Sequence, residues 1–294
     1  MRIGLIIRPR EGMEGLEELR GEVERLRAAG HAVRPRLTFE TGDAVRFARS
    51  TARAGADLVV AVGGDGTLNE VVNGLMREDW GGRVGLVPAG TANDFAAGME
   101  IPFPFREALR VAVGGHPIPV DVARVNDRYF INVSTGGFGA TATEEAPSES
   151  KRLLGPWAYV ITGVRKFADL RPANARFLSE NREVYNGPVM LFAVGNARRT
   201  GGGSMLTPRA EFGDGKLDVL IVPGMPRMDF LALLPDLRSG THVDHPDVHY
   251  FQTPRLLVES EEPLSVNADG EPQRGRRFAY DLSDRTLTFM VPGA

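Results

Sequence analysis

Hydrophobic positions along the chain follow two periods. Leu58-Val59-Val60-Ala61-Val62 is an unbroken apolar run of strand length, the pattern of a strand buried on both faces. Leu68, Val71, Val72, Leu75 and Met76 then fall at i, i+3, i+4, i+7 and i+8, the stripe of an amphipathic helix. Upstream, Arg2 to Ile7 reads as a strand. Leu16, Leu19, Val23 and Leu26 read as a helix that Gly30 closes. Ala32 to Leu37 is a second strand, and Pro35 assigns it to an edge. Helix Ala44–Ala54, strand Val84–Val87 and helix Phe105–Val113 complete an alternating β/α series. That alternation predicts a doubly wound, mostly parallel sheet with helices on both faces. Ligands then belong at the carboxyl ends of the strands.

The texture changes after about residue 118. Pro119 to Val125 and Arg128 to Val133 are short alternating runs joined by Asn126-Asp127, a hairpin signal. Further short runs follow at Ala175–Leu178, Val189–Val194, Lys216–Val222, Arg255–Glu259, Leu264–Val266 and Thr286–Val291. Two helices interrupt them. One carries the stripe Leu154, Trp157, Ile161, Val164 and Ala168, and the other runs from Met228 to Leu237. The expectation is an α/β domain over 1–118 and an antiparallel β-sandwich or open barrel over 119–294, whose last strand can return to the first domain.

Composition narrows the function classes. The chain of 294 residues is 42% hydrophobic and 25% charged, the balance of an ordinary folded protein. A net charge of -3 argues against general nucleic-acid binding. The absence of cysteine excludes disulfides, thiolate metal sites and cysteine nucleophiles. The apolar run Ile3–Ile7 is too short for a signal-peptide core, and no stretch approaches the roughly 20 apolar residues of a membrane span. The expectation is a cytoplasmic protein that meets a membrane only at its surface. The histidines show no metal spacing, and His245-Pro246-Asp247-Val248-His249 is expected to be a surface loop.

The candidate chemistry begins between the buried strand and the helix, at Gly63-Gly64-Asp65-Gly66-Thr67. Glycines make such a turn at no steric penalty. It presents backbone N–H groups and the positive end of a helix dipole, a site for phosphate to which Thr67 or Asn69 can add a hydrogen bond. The plainer alternative is a tight strand–helix turn with Thr67 as N-cap. A second loop, Pro88–Asp94, follows the next strand and offers Thr91 and Asn93 beside Gly90. Adjacent parallel strands put both loops on one edge of the sheet. Neither is a Walker A loop, and Asn69 stands where a dinucleotide fingerprint needs its third glycine.

Gly-Gly-Asp-Gly-Thr-Leu-Asn-Glu at 63–70 and Pro-Ala-Gly-Thr-Ala-Asn-Asp-Phe-Ala at 88–96 resemble the diacylglycerol kinase catalytic domain shared by lipid, sphingosine and ceramide kinases. The motifs at 132–139, 195–203, 213–218 and Asp269-Gly270-Glu271-Pro272 follow in the family's order and look most like the bacterial YegS-type lipid kinases. The resemblance covers nearly the whole chain. It implies an α/β nucleotide-binding domain, a β-sandwich domain and a deep cleft between them, with ATP as donor and Mg2+. It implies an ATP site of Thr38, Gly64, Asp65, Gly66, Thr67, Leu68, Asn69, Glu70 and Thr91. It implies Glu271 as proton acceptor, and a structural Mg2+ on the Asp214 carboxylate with the backbone carbonyls of Glu211 and Lys216. Arg8 stands where many members carry asparagine, Ala197 replaces a frequent glycine, and Gly213 replaces a frequent polar residue.

Phosphoryl transfer needs positioning and charge neutralisation more than covalent help. Asp65 repels phosphate, so it either holds the catalytic Mg2+ or caps local backbone. Glu271 either takes the acceptor hydroxyl's proton or belongs to a solvated hairpin turn, and Asp269 is the other carboxylate that can serve. The leading reading is a lipid kinase that phosphorylates a hydroxyl of a glycerolipid, such as diacylglycerol or phosphatidylglycerol, or of a sphingoid lipid. Its rivals are an NAD kinase and a non-catalytic nucleotide-sensing module.

Overall fold

Strand β3 (Leu58–Gly63) is buried along its whole length, as its unbroken apolar run requires. The structure is a computed structural model and describes residues 1–9, 16–137 and 172–293. The expected stripe from Leu154 to Ala168 lies outside these residues. By internal contacts the chain divides into two units: Met1–Val120 with Arg285–Ala294, and Asp121–Asp284.

The first unit places β3 in the middle of a sheet with β1 (Arg2–Ile7), β2 (Ala32–Leu37) and β4 (Arg83–Pro88). Two more strands, β5 (His116–Val120) and β15 (Leu287–Val291), complete it in the order β2-β1-β3-β4-β15-β5. β15 runs parallel to β4 and antiparallel to β5. The first unit therefore extends to Val120 rather than residue 118, because β5 is a strand of this sheet. β2 is an edge strand, as Pro35 demands.

Helices cover both faces. Gly4 and Gly85 are small because helices approach there. A Cβ on Gly4 would lie 2.3 Å from the Thr51 methyl of α2 (Asp43–Arg53). One on Gly85 would lie 2.5 Å from Ala112 of α5 (Phe105–Gly114). Gly4 pairs with Val59 and Gly85 with Val60, so these helices lie on opposite faces. α1 (Leu16–Ala28), α3 (Asp65–Leu75) and the short α4 (Asp94–Gly98) complete the layers.

The second unit is one curled nine-stranded sheet. The hairpin β6 (Ala123–Val125) to β7 (Arg128–Phe130) turns at Asn126-Asp127, with Asn126 at φ 54°. β8 (Val133–Gly137), β9 (Ala173–Ser179), β10 (Arg182–Gly195) and β11 (Leu217–Pro223) follow. Residues of β10 alternate between two apolar clusters. Val189, Phe192 and Val194 enter the core inside the curl, with Phe177, Phe278 and Tyr280. Met190, Leu191 and Ala193 meet Phe230, Leu233 and Leu237 of α6 (Arg227–Ser239) on the other face.

Several strands differ from expectation: the expected run Pro119–Val125 divides between β5 and β6, in different sheets, and Arg128–Val133 divides between β7 and β8. β12 (His249–Thr253) begins inside the expected surface loop. β13 (Arg255–Ala268) joins two expected strands across an acidic stretch, where a register shift between Glu259 and Leu264 absorbs the polar residues. β14 (Glu271–Leu282) was hidden by its exposed arginines, Arg274, Arg276 and Arg277, which break the apolar alternation. Asp269 at φ 49° and Gly270 at φ 93° form the two-residue turn between β13 and β14.

His242, buried in the second unit, faces two carbonyls: Nδ1 meets Asp236 O at 3.1 Å and Nε2 meets Leu206 O at 3.1 Å. Burial holds its pKa below the usual 6.5, outweighing the upward pull of the carbonyls. The unfolded chain therefore takes up this proton first as the pH falls. The melting temperature should drop as pH is lowered through about 6.5. His242→Gln should flatten that acid slope; an identical slope in the variant would clear His242 of the effect.

Candidate active site

The turn between β3 and α3 is tighter than the sequence suggested. The helix begins at Asp65 with Gly64 as its N-cap residue, so Thr67 lies inside the first turn and is not the cap. Thr67 is buried and packs over Gly63, where a Cβ would lie 2.4 Å from its Oγ1. Gly64 has φ -92° and ψ -172°, extended backbone open to any residue. Space, not backbone angle, requires glycine there. A Cβ on Gly64 would stand 2.8 Å from Gly90 Cα, and one on Gly90 would stand 2.4 Å from Gly64 Cα.

The second loop is thereby locked onto the first. Ala89 N–H donates to Gly63 O at 2.8 Å. Asp65 accepts from the N–H of Asp94 at 3.1 Å and of Phe95 at 3.0 Å, capping α4. Of the two roles open to Asp65, capping is the one this geometry displays, and the backbone it caps belongs to the neighbouring loop. Asn93, at φ 51°, closes its own loop: Gly90 N–H donates to its Oδ1 at 2.7 Å and its Nδ2 donates to Gly90 O at 2.9 Å. Phe95 packs against Phe289 of β15, the rings tilted by 48° with centroids 4.8 Å apart.

Around this pair the other first-unit candidates gather at the same sheet edge. Thr38 is buried, and its Oγ1 and N–H both donate to Ile7 O. Glu70 accepts from Gly42 N–H at 3.2 Å and pairs with Arg8 at 3.7 Å. Leu68 is a core side chain and Asn69 a buried one bonded to Asn73, so a ligand at the turn meets the backbone of these two. Thr91 is exposed, and at Gly66 a Cβ would meet open space. The first N–H groups of a helix have no partner within the helix, and Gly66 in this first turn is exposed. Asp43, unmarked in the sequence, organises the adjacent loop. It accepts from the N–H of Phe39 and Glu40 and pairs with Arg46. The Phe39 bond, then Arg46, hold its carboxyl below the usual range.

The remaining candidates belong to the second unit. Glu271 opens β14 opposite Ala268, and its Oε2 lies 2.9 Å from Arg128 Nη1. Asp269 accepts from three consecutive backbone N–H groups, those of Ile131, Asn132 and Val133. Asp214 Oδ1 accepts from Lys216 N–H at 3.0 Å, and the next residue, Gly215, donates to Asp121 Oδ2 at 2.8 Å. The Glu211 and Lys216 side chains are exposed. Among the described residues, no three His, Asp or Glu side chains cluster as a metal site. Arg128 and Asp121 escaped sequence reading because their partners lie 143 and 94 residues away.

Residues 2–125 match the profile of the diacylglycerol kinase catalytic domain, and residues 132–282 match the YegS C-terminal NAD kinase beta sandwich-like domain. A protein of Chromohalobacter salexigens named probable lipid kinase YegS-like is 41% identical over 279 residues, covering 94% of this chain and 89% of that one. The chain belongs to the YegS-like lipid kinase family. A Pseudomonas aeruginosa member of the same name is 37% identical, over 95% of this chain and 91% of its own. A crystal structure of a Bacillus anthracis protein named as a diacylglycerol kinase superposes with TM-score 0.85 at 25% identity, covering 99% of this chain and 95% of that one. The first matched profile spans both glycine loops, and the second spans Asp214, Asp269 and Glu271.

Two substitutions test the interlock by thermal denaturation. Asp65→Ala removes the cap of α4 and should cost about 1 kcal/mol. Gly64→Val overpacks against the Gly90 backbone and should cost about 1–3 kcal/mol. A Gly64→Val protein as stable as the parent would show that the two loops separate freely.

Proposed function

We infer that this protein is an ATP-dependent lipid kinase, which transfers the γ-phosphoryl group of ATP to a lipid hydroxyl. The observation that carries the reading is the open N-terminal turn of α3 at Gly64–Thr67, braced by Gly90, in a member of a lipid kinase family. We assign the phosphates of ATP to the backbone of Gly64–Glu70, with Thr38 and Thr91 at the margins. Arg8 would lie one side chain away, through Glu70, and offset phosphate charge. Diacylglycerol and phosphatidylglycerol are the acceptors we favour. We place the enzyme in the cytoplasm, with peripheral contact to a lipid surface.

In the proposed step the acceptor oxygen bonds to the γ-phosphorus as the bond to the β–γ bridging oxygen breaks. ADP leaves with that electron pair, and the hydroxyl proton passes to Glu271. Arg128 orients the Glu271 carboxylate. Asp269 is the poorer base, since three backbone N–H groups already occupy it. The Asp214 carboxylate with the backbone carbonyls of Glu211 and Lys216, and Asp121 beside them, would give an all-oxygen donor set, which suits a hard divalent cation. Mg2+ held there would stiffen the 211–216 loop, and Mg2+ with ATP would neutralise phosphate charge.

Glu271→Gln keeps shape and hydrogen bonding but removes basicity. Its kcat should fall about 10²–10⁴-fold with the KM for ATP nearly unchanged. Parental turnover in that variant would remove Glu271 from the mechanism. Asp269→Asn should instead lower thermal stability. Asp214→Ala should need more Mg2+ for activity, and an unchanged Mg2+ titration would reduce this loop to a turn. The defining experiment offers ATP with diacylglycerol, phosphatidylglycerol, sphingosine or NAD, and identifies the phosphorylated product by mass spectrometry. Phosphate on NAD alone, or on nothing, would overturn the lipid kinase reading.

A further inference from the structure

The most exposed large apolar side chain among the described residues is Phe39, at 88%. It stands in the loop between β2 and α2, beside the phosphate turn, and that loop is pinned. Thr38 bonds to Ile7 O, the N–H groups of Phe39 and Glu40 bond to Asp43, and Gly42 N–H bonds to Glu70. An exposed aromatic on a braced loop contributes nothing to the core of its own unit. It is suited to burial against something else.

Its surroundings say what. The Asp43 carboxylate that takes Phe39 N–H also pairs with Arg46. Arg46 and Arg36 lie over the same Phe47 ring, their guanidinium carbons 4.8 and 5.4 Å from its centroid. Arg34 is two residues back along β2, on the same face as Arg36. Arg34, Arg36 and Arg2 line a small cavity of about 130 Å³ between β1, β2 and the end of α2. Farther along α2, Arg49 and Arg53 share the single carboxylate of Glu78. The acids of this surface are Glu40, Asp43, Asp57, Glu78 and Glu70, the last paired with Arg8. Asp43 is matched by Arg46, Asp57 by Arg2, and Glu78 is outnumbered. The surface is therefore basic in a chain whose net charge is -3. No described helix is long and apolar enough to cross a membrane.

We propose that the β2 edge and the loop after it form the surface that docks on an anionic bilayer. Arg34, Arg36 and Arg46 meet lipid phosphates, and Phe39 enters the headgroup layer. This deepens the lipid kinase reading and rests on it: the acceptor lipid would leave the bilayer beside the turn that holds ATP. Each arginine near such a surface strengthens binding about fivefold, and an inserted aromatic ring adds about tenfold or more.

The test is sedimentation of the full chain with vesicles of phosphatidylcholine alone, or of equal parts phosphatidylcholine and phosphatidylglycerol. Binding should require phosphatidylglycerol and weaken with salt. Phe39→Ala should lose about tenfold in vesicle affinity, and Arg34→Gln with Arg36→Gln roughly twenty-five-fold. Phe103→Ala, another exposed aromatic, should bind as the parent does. Turnover of a short-chain lipid dispersed in detergent should be retained by the Phe39 and arginine variants, with the KM for ATP unchanged. Equal binding to both vesicles, or a Phe39→Ala protein that binds as the parent, overturns the proposal. So does a raised KM for ATP in Phe39→Ala with vesicle binding intact, which would make the ring an adenine contact. Failure of the parent to phosphorylate any dispersed lipid would sink the kinase reading, while the vesicle data would still report on the surface.

Discussion

The Asp65 carboxylate holds the first unit's site in one piece. It begins helix α3 and, through both oxygens, receives the first two N–H groups of α4. The first N–H groups of a helix have no partner within the helix itself. The bond makes the end of β3 and the loop after β4 a single body. Everything else there depends on the distance it sets. Gly64 and Gly90 can touch only because neither carries a Cβ, and Asn93 closes the second loop behind them. Phe95 then carries the link to Phe289 of β15, so the last strand of the chain supports the second loop.

The second unit uses a carboxylate in the same way. Asp269 takes three successive N–H groups and pins the tip of the β13–β14 hairpin to the segment that leads into β8. Two residues on, Glu271 is half-exposed and bonded to the guanidinium of Arg128. An acid saturated by backbone is part of the frame. An acid held by one side chain at the surface keeps its carboxylate accessible. That contrast separates two residues that the motif Asp-Gly-Glu-Pro presents as equals.

Burial of a charge-bearing group marks the frame elsewhere too. Asp218 is fully buried in β11 between apolar neighbours, takes hydrogen bonds from Tyr250 and Gln252, and has its pKa raised by desolvation. The interior bonds of the curled sheet thus join strands β11 and β12, one of which no hydrophobic pattern announced.

The apolar period of 58–62 and the stripe from Leu68 to Met76 were enough to establish β3, α3 and the α/β class, because both are local consequences of which faces are buried. The glycine turn at the start of α3 was legible too, since it needs only neighbours in sequence. Strands β12 and β14 were illegible because their exposed faces carry polar residues and arginines, leaving no period to read. The reason for glycine at position 64 was equally hidden. It is a contact with Gly90, and the same is true of Asp65 with Asp94, Arg128 with Glu271 and Asp121 with Gly215. Each is set by strands brought side by side, and no spacing along the chain encodes a distance created by folding.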